Sequence, residues 1–189
     1  MREAIETIEY KGHIISVYHD DLNESPREMF DHMGTMAAFH SRYNLGDQDH
    51  ELDLESAREM YENEPEDVFL LPLYLFDHSG ITMSTRPFTC PWDSGQVGII
   101  FVTKQTIRDE FGVKRISAKL RARVYEILQG EVKEYDQFLT GEVYGYEIEK
   151  DDEHVDSCWG YYGDPADYMI PEAKGIVDHA TEEQAGLIY

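Results

Sequence analysis

The side chains able to do chemistry gather in three stretches. "YHDDLNESP" (residues 18–26) carries His19, Asp20 and Asp21. "DHSGITMSTRPFTCPWDSGQVG" (residues 77–98) carries Asp77, His78, Cys90, Asp93 and Ser94. "VDSCWGYYGD" (residues 155–164) carries Asp156 and Cys158. Both tryptophans, Trp92 and Trp159, and both cysteines fall in the last two. A divalent ion held by His and Asp lowers the pKa of a bound water and turns it into a nucleophile. On that chemistry His19, Asp20, Asp77, His78, Asp93 and Asp156 form one candidate set, the metal site of a hydrolase or nucleotide-processing enzyme. Spacing argues against it. The chain has no C-x-x-C and no H-E-x-x-H. "DQDHELDLESAR" alternates acids from Asp47, but Leu52 stands where a calcium loop needs glycine and Arg58 where it needs a closing glutamate. The competing explanation is that these aspartates start turns and cap helices through their own backbone bonds.

A covalent nucleophile is less well supported. Ser94 in "WDSGQVG" lacks the flanking glycines of a G-x-S-x-G elbow, and an apolar strand follows it instead of a helix. Cys90 precedes Pro91, which favours extended backbone, and no basic residue adjoins it to activate a thiolate. Cys158 sits two residues from Asp156 and reads equally as a small buried apolar group. Neither phosphate-cradling glycine motif occurs, so Gly80, Gly95 and Gly98 are expected to serve turns or close strand approach.

The elements that must position these groups are legible in outline. "AIETIEYKGHIISVYHD" predicts two strands about a turn at Lys11 and Gly12. Ser25, Pro26 and Glu28 mark a helix start, and that helix either stops at Gly34 or resumes through "TMAAFHSRY". Residues 44–53 read as a polar loop, and "DLESAREMYENEP" as a helix capped by Asp53. Residues 68–76 and 96–102 are apolar enough for buried strands, with "ITMST" returning after a turn at residues 77–80. Thr103 caps a short helix ending at Gly112. Leu120, Val124, Ile127, Leu128, Val132, Tyr135 and Leu139 keep helical spacing, which Gly130 weakens. "EVYGYEIE" and "HVDSCWGYY" make a hairpin across "KDDE". Hairpins with helices inserted between them predict an α+β fold with a mostly antiparallel sheet. The expected organisation is a single domain over residues 1–163. Residues 164–189 follow as a C-terminal extension, short helices or a loose tail, where truncation is best tolerated.

Charge narrows the partners. The chain has 189 residues, 39 acids, 16 bases and a formal net charge of −23. That field repels phosphate, so direct binding to nucleic acid is not expected, and it attracts the basic surfaces that nucleic-acid enzymes present. The acids are densest in three pieces: Asp47, Asp49, Glu51 and Asp53; Glu59, Glu62, Glu64, Glu66 and Asp67; Glu147, Glu149, Asp151, Asp152 and Glu153. These are the candidate partner-binding carboxylates. Seven bases and two acids occupy residues 104–123, with Arg115, Lys119 and Arg123 four apart, which reads as a solvated helix face or a contact for an anionic partner. No apolar run is long enough to span a membrane, no signal segment is visible, and two cysteines make no disulfide framework. The expectation is a cytoplasmic protein without a membrane contact.

"YHDDLNESPREMFDHMGTMAAFHSRYNLGD", "LPLYLFDHSGITMSTRPFTCPWDSGQVG" and "DSCWGYYG" together resemble a family of small acidic proteins encoded by phages, plasmids and other mobile elements. The family's usual "SPREWDNLGTM" stands here as "SPREMFDHMGTM". The resemblance implies a setting and no activity: accessory proteins of mobile elements often block host defence. With the charge, it leads to an expectation of a binding protein without a cofactor. Such a protein would inhibit a host restriction or CRISPR-type enzyme by occupying its basic nucleic-acid-binding surface. On that reading the 77–98 stretch is scaffold, its glycines and Trp92 building a tight turn system. The metal-dependent enzyme is the alternative.

Overall fold

The computed structural model describes residues 3–21 and 24–186, without the side chains of 183–186. The fold is α+β with two antiparallel sheets. The chain divides into two compact units, residues 24–140 and a unit made from both ends, 1–23 with 141–189.

The unit built from the ends has a sheet in the order β1-β2-β8-β9. Its strands are β1 (Glu6–Tyr10), β2 (His13–His19), β8 (Val143–Lys150) and β9 (Glu153–Tyr162). Both of its hairpins turn on two residues with positive φ, Lys11 and Gly12 in one and Asp151 and Asp152 in the other. Two such residues give the turn whose twist matches that of paired strands. One face of the sheet packs against α5 (Met169–Gly186). Met169, Ala173 and Val177, one turn apart, bury themselves among Ile15, Val17, Tyr146 and Ile148. Within the stretch expected to give short helices or a loose tail, Met169–Gly186 is one helix that completes a core. Its period was masked by Pro171 and Gly175, which the helix tolerates in its first turns.

The inserted unit is a five-stranded sheet between helices. Strand order is β4-β3-β7-β5-β6, with β3 (Thr35–Phe39), β4 (Asn44–Gly46), β5 (Val68–Asp77), β6 (Ile81–Ser84) and β7 (Ser94–Thr103). α4 (Ala118–Thr140) covers one face through Val124, Leu128, Val132 and Tyr135, which meet Met36, Phe69, Leu73 and Ile100. α2 (Leu54–Asn63) serves the other face, where Ala57 meets Ala37 and Ile99. Strands buried on both faces read as continuous apolar runs, which is why residues 68–76 and 96–102 show no alternation. Pro72 falls before β6 begins to pair with β5 at Tyr74, so its missing N–H breaks no ladder there. α1 (Pro26–Met29) is a single turn, and α3 (Lys104–Phe111) runs from its Thr103 cap to Gly112. "TMAAF", which could have continued α1 as a helix, is strand β3, and the expected polar loop opens with strand β4. α4 is one helix: Gly130 lies on its exposed side, where a methyl group would meet nothing.

Candidate functional site

The first stretch ends in an ion network. Ser25 caps α1, and Pro26 takes its first position. That turn aims Arg27 inward, where its side chain is 2% exposed. Arg27 donates from Nε and Nη2 to the two oxygens of Asp47, both at 2.7 Å, and from Nη1 to Glu131 Oε2 at 2.9 Å. The carboxylates have further duties. Glu131 Oε1 accepts the N–H groups of Met33 at 2.9 Å and Gly34 at 3.2 Å, and Asp47 Oδ2 accepts that of Met36 at 2.7 Å. Burial pushes the Arg27 pKa down, and the bonds to Asp47 and Glu131 more than restore it. This is a structural clasp tying β3, β4 and α4 together. Asp47, expected on a partner-binding surface, belongs to it.

The second stretch forms a cleft at one end of the five-stranded sheet. Asp77 closes β5, and its backbone N–H bonds the Asp93 carbonyl at 2.8 Å. Arg42, from the β3–β4 turn, pairs with Asp77, and His40 Nε2 lies 3.6 Å from the same carboxylate. His78 Nδ1 lies 3.4 Å from Asp93 Oδ2, and the Cys90 thiol 3.7 Å from it. His40, Arg42, Asp77, Trp92, Asp93, Ser94 and neighbours line an open cleft of about 360 Å³. Ser94 Oγ donates to the Cys90 carbonyl at 2.5 Å, a turn-closing bond and not a nucleophile's bond to a base. Of the glycines, Gly98 does serve close approach, since a Cβ there would stand 1.9 Å from the Ala37 carbonyl oxygen. The scaffold role expected of Trp92 does not hold: its side chain is 92% exposed.

The third stretch meets the first within the unit built from the chain ends. Asp20 Oδ2 accepts the Gly160 N–H at 3.0 Å, and the Tyr18 and Trp159 rings lie 6.0 Å apart. Trp159 sits over Gly145, where a Cβ would stand 2.2 Å from the indole. His19 packs its ring against Tyr144 at 4.9 Å. On the helix-covered face the Tyr161 hydroxyl donates to Glu172 at 2.7 Å. Burial, with the Asp156 charge added, pushes the Tyr146 pKa up to about 12. Burial and bonds to Cys158 and Glu172 raise that of Tyr161.

Of the proposed metal ligands, then, Asp77, His78 and Asp93 come together in the inserted unit, while His19, Asp20 and Asp156 belong to the other. Among the described residues no group of three or more His, Cys, Asp or Glu side chains is arranged to hold a metal ion. Sequence reasoning missed His40, Arg42 and Glu131, because only strand pairing and helix packing bring them to their partners.

The remaining acids are placed as follows. Asp53 caps α2 by accepting the Ser56 N–H at 2.8 Å, a bond that holds its carboxyl below the usual range. Asp49, Glu51, Glu59, Glu62, Glu64, Glu66 and Asp67 are exposed on α2 and its flanking loops. Glu149, Asp151, Asp152 and Glu153 are exposed on the β8–β9 hairpin, with Glu147 half-buried. The basic stripe is less continuous than expected. Arg115 precedes α4, and Arg123 and Arg121 lie over the rings of Phe111 and Phe69 at 5.2 and 4.9 Å. No helix among the described residues is long and apolar enough to cross a membrane. Comparison with family models, curated proteins and solved structures finds no match to this chain.

Proposed function

We propose that the protein is an acidic inhibitor of a nucleic-acid-handling enzyme, seated on the basic surface where that enzyme binds phosphate. The observation that supports this reading is that the acids of α2 and of the loop after it form no ion pair with a Lys or Arg among the described residues, although Arg58 lies on the same helix. Lys11–Asp178, Arg27–Asp47, Arg27–Glu131 and Arg42–Asp77 are ion pairs among the described residues. None involves Glu59, Glu62, Glu64, Glu66 or Asp67. These carboxylates stand on a capped helix and the strand start that follows it, so they are held in place before a partner arrives. Opposite charge then accelerates encounter, and salt weakens it.

The test is DNA cleavage by a panel of restriction and CRISPR nucleases, run with the protein and with a Glu59→Lys/Glu62→Lys/Glu66→Lys variant. At least one nuclease should be inhibited, less so at 0.5 M salt or with excess competitor DNA. The triple reversal should weaken inhibition at least about tenfold. Inhibition indifferent to salt and to the reversals, or no inhibition across the panel, sinks the reading.

A further inference from the structure

Trp92 carries its large apolar surface into solvent, which does nothing for folding. Its loop is nevertheless firmly tied. Pro91 restricts the backbone before it, Ser94 closes on the Cys90 carbonyl, Asp93 is bonded to Asp77, and Phe88 packs 5.7 Å from the Phe76 ring. A bare indole on a braced loop is a preorganised contact. Trp and Arg beside a cleft are also the residue types that dominate protein-binding energetics.

The charges of the cleft say what fits. Asp77 is neutralised by Arg42, whose guanidinium also lies 5.5 Å from the Tyr43 ring. Asp93 has no Lys or Arg partner among the described residues, and its side chain is 41% exposed. Its contacts with His78 and Cys90 both use Oδ2, leaving Oδ1 without a bond to any described residue. The cleft's lining therefore includes an exposed indole and a carboxylate with no Lys or Arg partner among the described residues, on a chain of net charge −23. Anionic guests are repelled, and the cation of the cleft is already engaged. A guanidinium satisfies both groups at once, stacking on the ring while it donates to the carboxylate.

We propose that Trp92 and Asp93 form a receptor for an arginine side chain of a basic protein partner. The identity of that partner rests on the inhibitor reading above, and the arginine would be one presented by its phosphate-binding surface. Steering by the acids of α2 and anchoring by Trp92 are then separate tasks, one governing association and the other dissociation.

The full-length ¹⁵N-labelled protein is titrated with tetra-arginine, tetralysine and tetracitrulline peptides at low salt, with calorimetry in parallel. The two tryptophans give two indole N–H signals, and Trp92→Leu identifies which belongs to Trp92. Tetra-arginine should shift the Trp92 signal saturably, tetralysine should bind at least about threefold more weakly, and tetracitrulline should leave the signal in place. Trp92→Leu and Asp93→Asn should each weaken tetra-arginine at least about fivefold. Trp92→Leu removes a side chain that supports nothing, so it keeps the test decisive if Asp93→Asn disturbs the loop. Salt-sensitive heat with an unmoved Trp92 signal overturns the receptor and leaves the inhibitor reading standing. Absence of both heat and shift counts against the two together.

Discussion

Arg27 differs from an ordinary buried ion pair because its two carboxylates also serve backbone amides. Removing Arg27 alone, as in Arg27→Met, leaves Asp47 and Glu131 desolvated and unbalanced, at a cost of about 3–5 kcal/mol. A buried ion cluster can often be replaced by apolar residues without loss. Here Arg27→Met/Asp47→Leu/Glu131→Leu would orphan the N–H groups of Met33, Gly34 and Met36, so the triple variant should remain several kcal/mol less stable than the parent. Urea denaturation followed by circular dichroism measures both, and a triple variant as stable as the parent refutes the amide argument. The sequence showed the helix start at Ser25, Pro26 and Glu28 but not the clasp, because Arg27 meets residues 20 and 104 positions away. The same limit applies at the cleft: Trp92 and Asp93 stood out as residue types, while Arg42 and His40 carried no local signal.

Among the elements, α5 departs most from its sequence reading. Pro171 and Gly175 weaken a helical pattern on any propensity scale, yet Met169, Ala173 and Val177 are buried. Packing outweighs propensity here. Ending the chain after residue 163 should therefore not be tolerated: the sheet face bearing Ile15, Val17, Tyr146 and Ile148 would lie bare, and the end-built unit should lose its cooperative melting. The milder Val177→Ala should cost about 2 kcal/mol. Calorimetry on the truncated chain decides it, since an unchanged thermogram would mean the helix is dispensable. "TMAAF" shows the opposite error. Two alanines favour a helix locally, but a short apolar run buried between two helix layers carries no period that separates strand from helix. Hairpins with two-residue turns, and the capped helices α2 and α3, were legible because their signals are local.

For the whole molecule, composition announced the charge, and the structure adds that few of the described acids pair with a Lys or Arg. Self-repulsion at −23 must lower stability when ions are scarce. Raising sodium chloride from 10 mM to 500 mM should raise the melting temperature by roughly 5 °C, the screening length shrinking below the spacing of neighbouring acids. A flat melting temperature would mean that the acids repel one another too weakly to matter, and with it would go the argument that they form a strong field. The insertion of residues 24–140 into the sequence of the other unit has a consequence for how the chain is made. Ile15 pairs with Ile148, so the first hairpin leaves the ribosome about 130 residues ahead of the strand that completes its sheet. Meanwhile residues 24–140 can close around their own core. An orphan two-stranded ribbon is barely stable by itself and invites pairing with a stranger. Glu6 and Glu9, exposed on its outer strand, set like charges against any second nascent copy during that wait.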